Sequence, residues 1–296
     1  MTYRDILYDL DGHVLKLTAN RPRYRNAQSR RLLEELDHAF ARAAEDANVR
    51  VVVLQGAGEH FSGGHDLGSP DELADREVRP LQAGLRGRFD HSREHFVDKT
   101  LRFRAFPKPT IAAVHGYCIF AGWLVASAMD VIFAADDALF LGANFQYFSI
   151  PWDLSARKAK EILFESRFID AHEAHNLGLV NRVVPRSNLE EETLAYARRV
   201  AENDPFQLRM IKMAVNQVQD TQGFNAHITA AHLMHILSSE GEKDPDYALR
   251  VPDGRRRPMV EKAFERLELS RNRRRAVRDG TKRKSPKRSK PPKSAS

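Results

Sequence analysis

Three short runs limit what this chain can fold into: Val51-Val52-Val53-Leu54, Thr110-Ile111-Ala112-Ala113-Val114 and Val131-Ile132-Phe133-Ala134-Ala135. Each is apolar at successive positions instead of alternating, which marks a strand covered on both faces. The text between them is helical. Ser29 to Asp46 sets Leu32, Leu33, Leu36, Phe40 and Ala43 at helical spacing behind a candidate N-cap, Ser29. Ala121 to Met129 reads as an apolar helix. Doubly covered strands alternating with helices predict an α/β protein. A hairpin precedes them, Ile6–Leu10 and His13–Thr18 around Asp11-Gly12. Residues 68–95 are polar and irregular, as expected of a loop-and-helix insert lying over a site. From Asp204 the chain turns helical, with Pro205 in a first turn and Leu208, Ile211, Val215 and Val218 on one face. A second helix is predicted over residues 225–239.

The pattern divides the chain into a core (residues 1–203), a helical region (204–270) and a basic tail without structure (271–296). The tail matters for reading the charge. It holds 12 Lys and Arg against one acid, Asp279, so its +11 exceeds the +7 of the whole chain and leaves the remainder at −4. A basic nucleic-acid surface on the folded body is therefore not indicated, and any such contact would fall to the tail. The single cysteine, Cys118, excludes an internal disulfide and any cysteine zinc cluster. It sits in an apolar run, as a small buried hydrophobe does. The residues up to Asp11 show no apolar signal core. The longest apolar stretch, residues 111–135, is interrupted by His115, Gly116, Ser127 and Asp130, so no membrane span is expected. A cytoplasmic setting is the expectation.

Two of the buried strands end alike. Val51–Leu54 opens into Gly56-Ala57-Gly58 and then Phe61-Ser62-Gly63-Gly64-His65-Asp66-Leu67. Thr110–Val114 opens into His115-Gly116-Tyr117-Cys118-Ile119-Phe120-Ala121-Gly122 and then a helix. Glycines let backbone approach a ligand closely, and a helix start offers N–H groups without intrahelical acceptors. Two such turns on neighbouring strands can jointly hold one oxygen that gains negative charge during a reaction.

These segments resemble the crotonase superfamily, the enoyl-CoA hydratases and isomerases. Residues 57–67 are similar to its "GAG…FSAGADL" text, and Lys108-Pro109 through Tyr117 to "KPxIAAVxG". Asn20-Arg21-Pro22 with Asn26-Ala27 is similar to "NRPxxxNA". Residues 169–174 with Gly178 through Pro185 are similar to "AxEAxxxGLVxxVVP". The blocks keep family order over residues 6–219. The resemblance implies a spiral of ββα units with C-terminal helices at a trimer interface, as homotrimer or dimer of trimers. It implies an acyl-CoA thioester as substrate, with coenzyme A only as part of that substrate, no separate cofactor and no metal. The amides of His65 and Ala121, with Gly122 as the alternative to Ala121, would bind the thioester oxygen. Gly63, Gly64, Asp66 and Leu67 would line the same turn, although Asp66 itself reads as a tie within its loop. Arg23, Tyr24 and Arg25 would approach the adenine and phosphates, or form a solvated basic loop.

The chain departs from the hydratase pattern at both glutamate positions, where Leu124 and Asn144 stand. Leu124 cannot move a proton, and an amide is no base near neutral pH. Asp153 and the His65 imidazole are the candidate replacements, Asp153 reading also as a helix N-cap. His115 is expected to bond backbone in its turn. Trp123, Trp152, Phe145, Tyr147 and Phe148 are expected to be packing. The activity implied is enolate or hydration chemistry. The alternatives are isomerisation, thioester or carbon–carbon hydrolysis, and catalytically silent binding of acyl-CoA.

Overall fold

The structure is a computed structural model. Its backbone is described for residues 2–142, 148, 150–240 and 258–283. Asn144, Phe145 and Tyr147 lie outside the described residues.

The hairpin forms between β1 (Ile6–Asp11) and β2 (Val14–Ala19), with Ile6 paired to Ala19 and Asp11 to Val14. Its two loop residues are thus Gly12 and His13, one position later than Asp-Gly, and Gly12 takes the left-handed φ of 58°. Ser29 caps α1 (Arg30–Glu45) by accepting from Leu32 N, and the apolar stripe of α1 is buried. Next come β3 (Val51–Gly56), the insert helices α2 (Pro70–Val78) and α3 (Gly84–Ser92), a π-helical turn at Arg93–Asp98, and α4 (Lys99–Arg104).

Two ββα units follow. The first is β4 (Thr110–Val114), β5 (Tyr117–Ile119) and α5 (Ala121–Ser127); the second is β6 (Val131–Ala135), β7 (Leu139–Leu141) and α6 (Ile150–Asp153) with α7 (Ala156–Glu165). Each unit gives its first strand to one sheet and its second to another. With β8 (Ile169–Asp170), α8 (Ala171–Asn176) and β9 (Arg182–Val184), the large sheet has the order β1-β2-β3-β4-β6-β9 and the small one β5-β7-β8. From β2 to β9 the large sheet is parallel. Its central strands are buried on both faces, as their uninterrupted apolar text requires. Side chains on one face pack against α1 and α5, and those on the other against α9 (Leu189–Ala201).

Two long helices follow, α10 (Pro205–Thr221) and α11 (Phe224–Glu240), within a residue of the expected positions. The last helix, α12 (Pro258–Arg283), corrects the expected boundary of the tail. Helical backbone continues past residue 271 to Arg283. What anchors it is apolar: Ala263 and Leu267 are buried, and Phe264 lies 4.4 Å from the Phe168 ring. The basic composition beyond Ser270 hid a helix whose docking residues precede it. Among the described residues no helix is long and apolar enough to cross a membrane.

Candidate functional site

The parallel register of β3 and β4 delivers their two following turns to the same end of the sheet. The turns are then bonded together. Ser62 N donates to Tyr117 O (2.9 Å), and Ile119 N donates to Ser62 O (3.0 Å). Phe61 N donates to His115 O (2.8 Å). Gly122 sits so close to the first turn that a Cβ there would lie 2.8 Å from Ser62 Cβ and 2.9 Å from Ser62 O. Gly64 has a φ of 91°, and a Cβ on it would lie 3.0 Å from Ile119 O and 3.7 Å from Ala121 N. The segment carrying His65 therefore faces the amide of Ala121.

Both amides have their direction set by backbone bonds. Gln28 N donates to Gly64 O (2.8 Å), and Asp66 N donates to Gln28 O (2.9 Å). In a trans peptide the C=O and the next N–H point oppositely, so the His65 N–H is turned away from Gln28. Ala121 opens α5, where an N–H has no intrahelical acceptor. The residue before it, Phe120, has φ 48° and ψ −108°, a rare conformation for a side chain larger than glycine. It is held by its N–H to Leu141 O (2.8 Å) and by packing of Phe120 into the cluster with Ala263 and Leu267 of α12.

A third segment, residues 20–28, clamps the first turn. Asn26 is fully buried; its Oδ1 accepts from Arg21 N, and its Nδ2 donates to Ala57 O and His60 O. Gln28 joins both turns, because its Nε2 donates to Ala121 O (3.0 Å). Gln28 was absent from the sequence reading. Its position next to the "NA" pair was the available signal, but the partner lies 93 residues away.

Asp66 is confirmed as a tie within its loop. It accepts from Gly68 N, Ser69 N and Ser69 Oγ, and pairs with the buried Arg21 at 2.8 Å. Burial raises its pKa, but the bonds from Ser69, Gly68 and Arg21 outweigh that and hold it below 3.8. A depressed carboxyl contributes stability above the unfolded value and loses it as the pH falls through the folded one. Asp66→Asn is accordingly expected to lower stability at pH 7, and the difference from the parent should shrink only below pH 3.8. Denaturant titrations across pH measure this.

The other expected residues divide into two groups. Gly63, Gly64, His65, Ala121 and Gly122 are brought together, with Gly63 N donating to Arg25 O, while Leu67 follows Asp66 in the loop that Arg21 ties down. Arg23 and Arg25 are exposed on the adjoining loop, and Tyr24 lies beneath the guanidinium groups of Arg21 and Arg23 at 4.9 and 5.6 Å. Leu124 is buried in an apolar cluster with Ala121, Val97 and Ile228. The His65 ring stacks on Phe96 of the π-helical turn, with centroids 3.5 Å apart. Asp153 does not join them. It is exposed and lines a cavity with Ser127 and Asp130, at the end of α5 away from Ala121. Nor is it an N-cap: it ends α6, and Ser155 caps α7 by accepting from Lys158 N. His115 bonds Gly58 O (3.1 Å), as expected. Cys118 is fully buried, which pushes its thiol pKa up and keeps it neutral. Trp123 and Phe148 are buried packing.

The fold and the paired turns define a crotonase-like α/β spiral. The model of the family described as enoyl-CoA hydratase/isomerase matches residues 9–244. A Mycobacterium tuberculosis protein named for enoyl-CoA hydratase, EchA13, is 38% identical over 77% of this chain and 78% of its own. Among solved structures, an enoyl-CoA hydratase/isomerase from Xanthobacter autotrophicus Py2 superposes with a TM-score of 0.73 at 36% identity, covering 83% of this chain and 90% of that one. A Mycobacterium smegmatis protein named for enoyl-CoA hydratase gives 0.72 at 42% identity, over 80% and 94% of the two chains. The chain belongs to the enoyl-CoA hydratase/isomerase family.

Proposed function

We propose that the chain binds an acyl-CoA thioester with its carbonyl oxygen between the amides of His65 and Ala121, and stabilises the enolate that forms there. The observation that carries this is the closeness of the two turns, 3.7 Å between the Gly64 Cβ position and Ala121 N. Hydrogen bonds from fixed amides strengthen as the oxygen gains charge, and each donor of this kind lowers the barrier by about 3 kcal/mol. The exposed Arg23 and Arg25 suit the phosphates of the coenzyme. The thioester supplies the reactive group, so the reading needs neither a separate cofactor nor a metal.

The proton-transfer step differs from hydration. Leu124 is packed in an apolar cluster where a hydratase carries a glutamate, and a hydrocarbon cannot activate water. Asp66 is tied up by Arg21 and Ser69, and His115 by Gly58 O; the His65 ring is the base in this reading. Crotonyl-CoA is therefore expected to raise the melting temperature while its enone absorbance stays at the uncatalysed rate. Exchange of the α-protons of a saturated acyl-CoA in D2O, followed by NMR, is the direct test. Catalysed exchange supports enolate formation; binding without exchange favours a silent acyl-CoA carrier.

The exposed face of α10 supports an oligomeric assembly. Ile211, Val215 and Val218 are 54%, 64% and 59% exposed, and they recur on one helix face. Such a stripe is covered by association in a stable protein. A homotrimer, or a pair of trimers, is the assembly proposed. Light scattering should give three or six chains, and Val215→Glu should shift the mass toward one.

A further inference from the structure

The apolar wall formed by Ala121, Leu124 and Val97 is closed on one side by α11, through Ile228 and Ala231. The next residue of α11 is His232, which is 1% exposed. Its Nε2 lies 2.7 Å from Ser92 Oγ, and its Nδ1 is buried with no partner among the described residues. Ser92 is four residues before Phe96, so the two share a helix face, and Phe96 carries the His65 ring. Ser92 thus stands one turn before Phe96, on which the His65 ring stacks, and His232 directly follows Ala231 of the cluster that holds Ala121 and Leu124. Burial, with Arg93 and His235 nearby, depresses the His232 pKa, so the ring is neutral at pH 7. His91, adjacent to Ser92, is likewise held neutral, burial and His95 bringing it to about 4, and its Nδ1 also lacks a partner.

A buried polar atom left unpaired is costly, and an apolar residue would fill this wall without that cost. We propose that Ser92 and His232 are specificity-determining residues that receive an uncharged polar group, a hydroxyl, carried on the acyl chain remote from the thioester. This rests on the acyl-CoA reading and adds the class of acyl group to it. A neutral imidazole with one nitrogen engaged by Ser92 offers its other nitrogen to such a hydroxyl. A purely alkyl chain leaves that nitrogen unmatched.

The test is calorimetric binding of butanoyl-, hexanoyl- and octanoyl-CoA, each against its ω-hydroxy derivative. At one chain length at least, the hydroxylated thioester is expected to bind about tenfold more tightly. In Ser92→Ala and in His232→Leu, each checked for folding by its melting curve, that ratio is expected to fall to about one. A merely structural role would weaken both members of a pair alike and keep the ratio. Equal affinities at every chain length in the parent protein overturn the proposal while leaving acyl-CoA binding in place. Absence of binding by every thioester overturns both readings.

Discussion

Gly64→Ala is expected to abolish catalysed α-proton exchange while the protein stays folded. Two effects act together. The φ of 91° is open to glycine and costs an L-residue about 1–2 kcal/mol. The added methyl would sit 3.0 Å from Ile119 O, 3.6 Å from Phe120 Cβ and 3.7 Å from Ala121 N, in the space between the two turns. The turns must move apart or the methyl must occupy the oxygen's place. Either result removes a donor, so the exchange rate should fall by about 100-fold or more. A rate within threefold of the parent would mean that the facing turns do not form the site. NMR exchange and a melting curve on the same sample separate loss of chemistry from loss of fold.

Arg21→Met is expected to have the largest effect on stability. Arg21 is 5% exposed and pairs with Asp66 at 2.8 Å and Asp5 at 3.5 Å, while donating to Ala27 O and to Ser69 Oγ. Removing the cation leaves the buried carboxylates of Asp66 and Asp5 without a counter-charge, held only by hydrogen bonds from Gly68, Ser69 and Ser29. Breaking a buried network in this way costs about 3–5 kcal/mol. Methionine keeps most of the volume, so the loss reports charge and hydrogen bonding instead of a cavity. Chemical denaturation at pH 7 measures it. Because Arg21 joins residues 20–28 to the loop of Asp66, the variant should also bind acyl-CoA more weakly. A change below 1 kcal/mol would show that the network is not what clamps the first turn.

Much of this was legible in the sequence because it depends on local pattern. The uninterrupted apolar runs of β3, β4 and β6 could only be strands covered on both faces, and the glycines of the first turn marked where backbone comes close to backbone. Gly64 and Gly122 are now explained by particular neighbours, Ile119 O and Ser62. What was not legible depends on distance in the chain. Gln28 is an ordinary polar residue until β3 and β4 bring Ala121 beside it. Ser92 and His232 lie 140 residues apart, and nothing in either segment predicts the pairing. Asp153 illustrates the reverse. Its type suited a catalytic role, but it stands exposed at the end of α6, in the lining of a cavity that also includes Ser127 and Asp130 and not the two turns. The helix α12 was hidden by its own composition, since its Arg-rich text masks the apolar face of Ala263, Phe264 and Leu267.

A crystal structure with a saturated acyl-CoA bound addresses the proposed oxyanion site most directly. The thioester oxygen should lie about 2.7–3.1 Å from the backbone nitrogens of both His65 and Ala121. An oxygen held by other groups, or a protein carbonyl occupying either amide in the complex, would contradict the account.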